Sequence, residues 1–220
     1  MRIKAKEYYK NAAGERVPSV TTALSELSKP ALVRWANKLG LQGIDSDKYK
    51  NELADIGTLT HYFIVCRLQE IVPDVSEYTP EQVELAQGCF KQYTDWEAKN
   101  PIMCVFSEVP FISEKYQYGG TPDLYAVCNK ELMLVDFKTS ASGIFPEMVY
   151  QVAAYRQLLA DAGYRTSKAI ILRLGRGSNE GADEKIISTQ ELDNGFEIFT
   201  RCLDIYKLKR GEKAVCTAII

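Results

Sequence analysis

The chain has 220 residues, 46% hydrophobic and 25% charged, an ordinary globular composition that excludes a disordered, collagen-like or low-complexity chain. Its longest uninterrupted apolar runs, Tyr62 to Cys66 and Leu124 to Cys128 among them, are five residues each, far short of the ~18 needed to span a bilayer, so no membrane association is expected. The net charge of −2 is unevenly spread: residues 1–50 carry 10 basic and 5 acidic side chains, whereas residues 51–135 carry 5 and 13. Positive charge at the front is either a solvated face or a phosphate-contacting segment.

In chain order, the first residues, Met1 to Glu7, are partly basic with no apolar stretch behind them, from which a cytoplasmic protein is expected. The first hundred residues read as mainly helical. Helices are expected over 30–39, after Ser28, over 51–71, and over 80–99. The last has Thr79 as N-cap and Glu81 and Glu84 in the first turn, where carboxylates complement the helix dipole. From Ile102 the pattern changes to short apolar and alternating runs, which predict strands over 103–112, 120–128 and 131–138. A helix follows over 146–162, closed by Gly163; then come a buried strand over 168–174, a short one over 185–189 and a final helix over 192–210. The order implies an α/β (α+β) fold, a mixed central β-sheet flanked by helices. No linker divides the chain, so one domain is expected over 1–220, with a helical N-terminal part over 1–100 and an α/β core over 101–220.

Cys66, Cys89, Cys104, Cys128, Cys202 and Cys216 form no CxxC pair, which argues against a zinc ribbon or an iron–sulfur cluster. They read as small core residues.

The chemistry concentrates in Gly119-Gly120-Thr121-Pro122-Asp123 and Asp136-Phe137-Lys138. If Cys128 and Glu131 flank a two-residue turn at Asn129-Lys130, the antiparallel register sets Asp123 opposite Asp136, with Cβ atoms about 4.5–5.5 Å apart. Period-2 alternation puts Lys138 on the same face. Two adjacent carboxylates are electrostatically costly unless a cation neutralises them, and hard oxygen ligands suit Mg²⁺ or Mn²⁺. The lysine could orient the attacking water, help deprotonate it or stabilise developing charge on a phosphate. The bland alternative is a turn-capping Asp123, a strand-end Asp136 and a surface Lys138.

Pro122-Asp123 with Asp136-Phe137-Lys138 resembles the motif of PD-(D/E)XK nucleases. Gln151 and Tyr155, in Gln-Val-Ala-Ala-Tyr, are similar to the QxxxY signature of the RecB-like exonuclease branch, and Gly57-Thr58-Leu59-Thr60-His61 is similar to its GxxxH element. The resemblance implies a restriction-endonuclease-like core, with Asp123, Asp136 and the Phe137 carbonyl as metal ligands and Lys138 catalytic. It adds Glu108 as an acid on the preceding strand and His61, the chain's sole histidine, as a further metal ligand. Glu108 could equally be an exposed edge-strand residue. Gln151 and Tyr155, one helical turn apart, could position DNA or the lysine, or Tyr155 could pack in the core.

Val17-Pro18-Ser19-Val20-Thr21-Thr22 and Lys29-Pro30-Ala31-Leu32-Val33-Arg34-Trp35-Ala36 resemble the N-terminal segment of phage-type and mitochondrial-genome-maintenance-type exonucleases. Ser19, Thr21, Thr22, Lys29, Arg34 and Trp35 could hold a strand through phosphate contacts and stacking, or Trp35 could be core. Arg173 and Arg176, at a strand end, could touch phosphate. The family's four-cysteine iron–sulfur pattern is missing, which implies a cluster-free member. With no Walker A sequence, any helicase or annealing partner would be a separate chain. The implied function is Mg²⁺- or Mn²⁺-dependent hydrolysis of DNA from its ends, single- or double-stranded, in phage-type recombination or end processing, in a bacterial or phage setting. The rivals are an endonuclease on the same core and a catalytically silent DNA-binding subunit.

Overall fold

The computed structural model describes residues 8–141, 143–177 and 180–211; Cys216 and the N-terminal residues 1–7 lie outside them. Local signals set most element boundaries. The Ser19 side chain caps α1 (Val20–Leu24), and Pro30 opens α2 (Pro30–Leu41) at a position whose amide would have no intrahelical partner. The Asp45 carboxylate caps α3 (Ser46–Leu68), accepting from the amides of Asp47 and Lys48, so the helix starts earlier than the apolar pattern from residue 51 implies. Thr79 and Gln82 form a reciprocal capping box at the start of α4 (Pro80–Glu97).

The strands are β1 (Ile102–Ser107), β2 (Phe111–Ser113), β3 (Tyr118–Gly120), β4 (Leu124–Cys128) and β5 (Glu131–Thr139); α5 (Pro146–Asp161), β6 (Lys168–Leu174), β7 (Asp183–Ile187) and α6 (Thr189–Leu208) follow. One sheet has the order β1-β4-β5-β6-β7, and β2 and β3 form a separate ribbon. The β5–β6 pair is parallel, bridged by the α5 crossover, and the other pairs are antiparallel. The mixed sheet flanked by helices is the expected α/β fold.

Two boundaries differ from the sequence pattern in a way that shapes the site. The strand expected over 103–112 breaks at Glu108, whose φ of 52° is left-handed, before Pro110. The strand expected over 120–128 breaks at Thr121-Pro122-Asp123, where the chain crosses from the ribbon to the main sheet. A third shift is simpler: the Ser188–Glu191 capping box takes Thr189 into α6, so β7 covers Asp183–Ile187 rather than 185–189.

Alternation along the strands divides the core. Leu124, Ala126, Met133, Val135, Phe137, Ile170 and Leu172 pack with Ile64, Cys89, Tyr93 and Trp96 of α3 and α4. Tyr125, Leu134, Ala169 and Ile171 face α1, α5 and α6 through Val20, Val152, Tyr155 and Phe199. Cys66, Cys89, Cys128 and Cys202 are free and buried, and Cys104 is free and half-buried. Among the described residues no helix is long and apolar enough to cross a membrane.

Candidate metal centre

Asn129 and Lys130, at φ 51° and 68°, are both left-handed, as a two-residue primed turn requires. The turn pairs Cys128 with Glu131 and Leu124 with Val135, the register read from the sequence. Asp123, one residue before β4, thereby reaches the level of Asp136 on β5. Its Oδ2 accepts the Phe137 amide at 2.7 Å. Asp136 and Lys138 share the face that looks toward α5, and Lys138 Nζ lies 2.6 Å from Asp136 Oδ2. Asp136 is fully buried, and apart from that ammonium contact neither carboxylate oxygen has a hydrogen-bond partner among the described residues.

His61 and Glu108 come from distant parts of the chain. Gly57, one turn before His61 on α3, lies against the end of β5: a Cβ there would sit 2.8 Å from Thr139 Oγ1. The missing side chain lets α3 approach closely enough for His61 to reach over the sheet end. Glu108 is exposed, with a left-handed backbone, and its amide donates to the Asp123 carbonyl at 3.2 Å. His61 Nδ1 is 3.4 Å from Glu108 Oε1 and 3.6 Å from Asp123 Oδ1, and its ring meets Phe137 edge-on at 5.9 Å. One ligand atom from each of His61, Glu108 and Asp123 lies within 4.8 Å of the others, a cluster able to hold a metal ion. Asp136 stands beside this trio with its carboxylate turned to Lys138.

Burial disfavours charge on His61, Asp123, Asp136 and Lys138, and the neighbouring charges decide the outcome. Burial alone would lower the pKa of His61, yet the Asp123 and Glu108 carboxylates outweigh it and raise it to about 9. The imidazole is therefore cationic at neutral pH, placing positive charge between two carboxylates where a metal would. Burial pushes Asp136 up to about 6 against the pull of Lys138, and raises Asp123 despite His61 and Lys138. Lys138 is raised: burial opposes, but Asp136 and Asp123 overcome it, so its amine stays an ammonium. A buried carboxylate whose charge burial disfavours, with no donor besides Lys138, fits a divalent cation that would supply the missing charge.

On α5, Gln151 Nε2 donates to Tyr155 Oη at 2.9 Å. Tyr155 is buried in the core and also adjoins the acids: burial, then the Asp136 and Asp123 charges, hold its phenol well above the ordinary range. Gly120 admits its ring, since a Cβ there would lie 2.7 Å from Tyr155 Cε1.

The other candidates are placed differently. Ser19 caps α1, with its hydroxyl 2.7 Å from Thr22 Oγ1 and 3.1 Å from Thr21 Oγ1, and it bridges to Gly119 near the Asp123 turn. Lys29 and Arg34 are exposed at the start of α2 and along it, and α2 packs on α3, the helix that carries His61. Trp35 is half-buried beside Tyr49, ring centroids 6.2 Å apart. Arg173 is not a free phosphate contact: its guanidinium is buried, pairs with Asp183 at 2.6 Å and donates to the carbonyls of Ser140 and Gly181. This correction follows from β7, whose Asp183 lies opposite Arg173 in the ladder. Arg176 is half-buried, its amide donating to Glu180 and its guanidinium reaching the Leu53 carbonyl at 3.5 Å.

Tyr9, which the sequence did not single out, also approaches this region. Its hydroxyl lies 2.8 Å from Thr121 Oγ1, and its ring covers Gly119, where a Cβ would come within 2.3 Å of Tyr9 Cγ. The signal available was Gly119-Gly120, which marks a place where other groups approach the backbone closely.

No family model matches the chain, and no curated protein matches it. Among solved structures, the chain is similar to the Eubacterium rectale protein named "Putative exonuclease", with a TM-score of 0.48 at 11% identity, covering 73% of this chain and 68% of that one. It is also similar to SSO0001, with a TM-score of 0.33 at 13% identity, covering 69% of this chain and 82% of that one. Likeness at these levels carries no argument about function.

Proposed function

We propose that this chain is a divalent-metal-dependent nuclease of the PD-(D/E)XK kind that degrades DNA from its ends. One observation carries the reading. A fully buried Asp136, its oxygens without donors other than Lys138, stands beside a His61–Glu108–Asp123 cluster able to hold a metal, with Asp123, Asp136 and Lys138 in a literal Pro-Asp and Asp-Phe-Lys pattern.

In this proposal His61, Glu108 and Asp123 hold Mg²⁺ or Mn²⁺, with Asp136 and the Phe137 carbonyl as further ligands. When bound, the cation would withdraw charge from the phosphodiester and acidify water at the site. Lys138, an ammonium under the Asp136 and Asp123 charges, cannot accept a proton while it stays charged. Its part is to stabilise the extra negative charge of the transition state and to orient the attacking water. Gln151 and Tyr155 brace the α5 side, and the exposed cations Lys29 and Arg34 on α2 attract the phosphate backbone. An exonuclease acting in recombination or end processing is the setting we propose, with any helicase or annealing protein a separate chain.

The test is nucleotide release from end-labelled linear DNA and from a matched closed circle, with Mn²⁺, Mg²⁺ or EDTA. Metal-dependent loss of the linear DNA alone supports the exonuclease. Cutting of the circle converts the reading to an endonuclease, and folded protein that cuts neither substrate overturns the catalytic proposal.

A further inference from the structure

We infer that Tyr9 is a positioning residue of the metal centre, acting through Thr121 on Asp123; the inference deepens the metal-dependent reading above and rests on it. Asp123 lies in the three-residue crossing Thr121-Pro122-Asp123, between a ribbon strand and a main-sheet strand, with no regular ladder of its own. A ligand on such a crossing needs fixing at several points. The main chain of Asp123 is fixed by the Glu108 amide at 3.2 Å and its carboxylate by the Phe137 amide at 2.7 Å. The start of the crossing is fixed by the Tyr9 hydroxyl, 2.8 Å from Thr121 Oγ1.

The segment that delivers Tyr9 is anchored independently of the cluster. Lys10 bridges Arg16, Val17 N donates to the Tyr9 carbonyl at 3.0 Å, and Gly119 N donates to the Pro18 carbonyl at 2.9 Å. Asn11 reaches Gln117 at 2.7 Å. The Tyr9 ring is seated on Gly119 in space that any side chain there would fill. Tyr9 therefore couples the docked N-terminal segment to the irregular crossing that carries Asp123. Both hydroxyls can donate and accept, so the contact can run in either direction. Partners that hold a ligand in place typically change metal affinity by about 10–100-fold when removed.

The experiment measures Mn²⁺ affinity by calorimetry without DNA, together with melting in EDTA, for the native chain, Tyr9→Phe, Thr121→Val, Thr121→Ser and the Tyr9→Phe/Thr121→Val double variant. Expected is a loss of about tenfold or more in Mn²⁺ affinity for Tyr9→Phe and for Thr121→Val, no further loss in the double variant, and near-native affinity for Thr121→Ser. Thr121→Val keeps the ring on Gly119, so it tests the contact even if Tyr9→Phe folds poorly. Native affinity in both single variants, or additive losses in the double variant, overturns the inference, as does a fall in EDTA melting temperature with metal affinity intact. Because no DNA is present, a chain that binds Mn²⁺ and shows these losses yet cuts nothing sinks the nuclease reading and leaves this inference standing.

Discussion

Gly57 rests on Thr139: an added Cβ would lie 2.8 Å from Thr139 Oγ1, closer than such atoms normally approach. This contact sets the height of α3 above the sheet end, and so the reach of His61. A mid-helix glycine replaced by alanine ordinarily gains about 0.5–1 kcal/mol. Here Gly57→Ala is expected to weaken Mn²⁺ binding instead, and Thr139→Ala in the same chain to restore part of it. Calorimetric titration of the three variants checks the pair; unchanged affinity in Gly57→Ala would show that α3 does not set the ligand position.

Lys138→Met removes the ammonium while keeping most of the volume of its stem. Nucleotide release should fall by about 10²–10³-fold, the range usual for a lost group that stabilises developing charge, while Mn²⁺ affinity persists. Single-turnover rates at saturating metal make the comparison. Equal losses in rate and metal affinity would instead assign Lys138 a role in holding the site together.

An imidazole among oxygen donors favours Mn²⁺ over Mg²⁺, which prefers an all-oxygen shell. His61→Asp makes the trio of His61, Glu108 and Asp123 all-carboxylate and should shrink the ratio of Mn²⁺- to Mg²⁺-supported cleavage, read from rates across a titration of each metal. A ratio unchanged by the substitution removes His61 from the ligand set.

Glu191 offers a pH test far from the metal. Its carboxylate meets Lys185 and the Ser188 amide and hydroxyl, which hold its pKa down to about 2. A depressed folded-state pKa adds stability above the unfolded value near 4.5 and loses it as pH falls toward about 2. The pair is largely exposed, so the contribution is under about 1 kcal/mol. Glu191→Gln keeps a capping side chain without the charge. Urea denaturation should therefore separate the two proteins above pH 4.5 and bring them together near pH 2.

The hairpin was legible because its determinants are local: the Asn129-Lys130 turn fixes the register, and the register fixes the facing of Asp123, Asp136 and Lys138. The mixed sheet followed from the order of short apolar runs. The breaks in two strands were not legible, since Glu108 gives no sign in its residue type of a left-handed backbone, and Val109 continues the apolar pattern. Arg173 looked like a free cation because its partners, Asp183 and two carbonyls, are set by sheet pairing rather than by neighbours in sequence. Tyr9 could not be placed because its contact with Thr121 spans 112 residues.

The contact between Asp123 and Phe137 closes a loop of 14 residues, whereas His61 and Glu108 meet across 47. Short loops close early in folding and long ones late, once other contacts have offset their entropy. The two aspartates are thus brought together in a hairpin that can form first, and the imidazole arrives only when α3 docks. For the proposed metal site this order would work as a kinetic safeguard: while the chain is still collapsing, its acid pair would be an incomplete chelator, and tight capture of a cation would wait for the nearly finished native state.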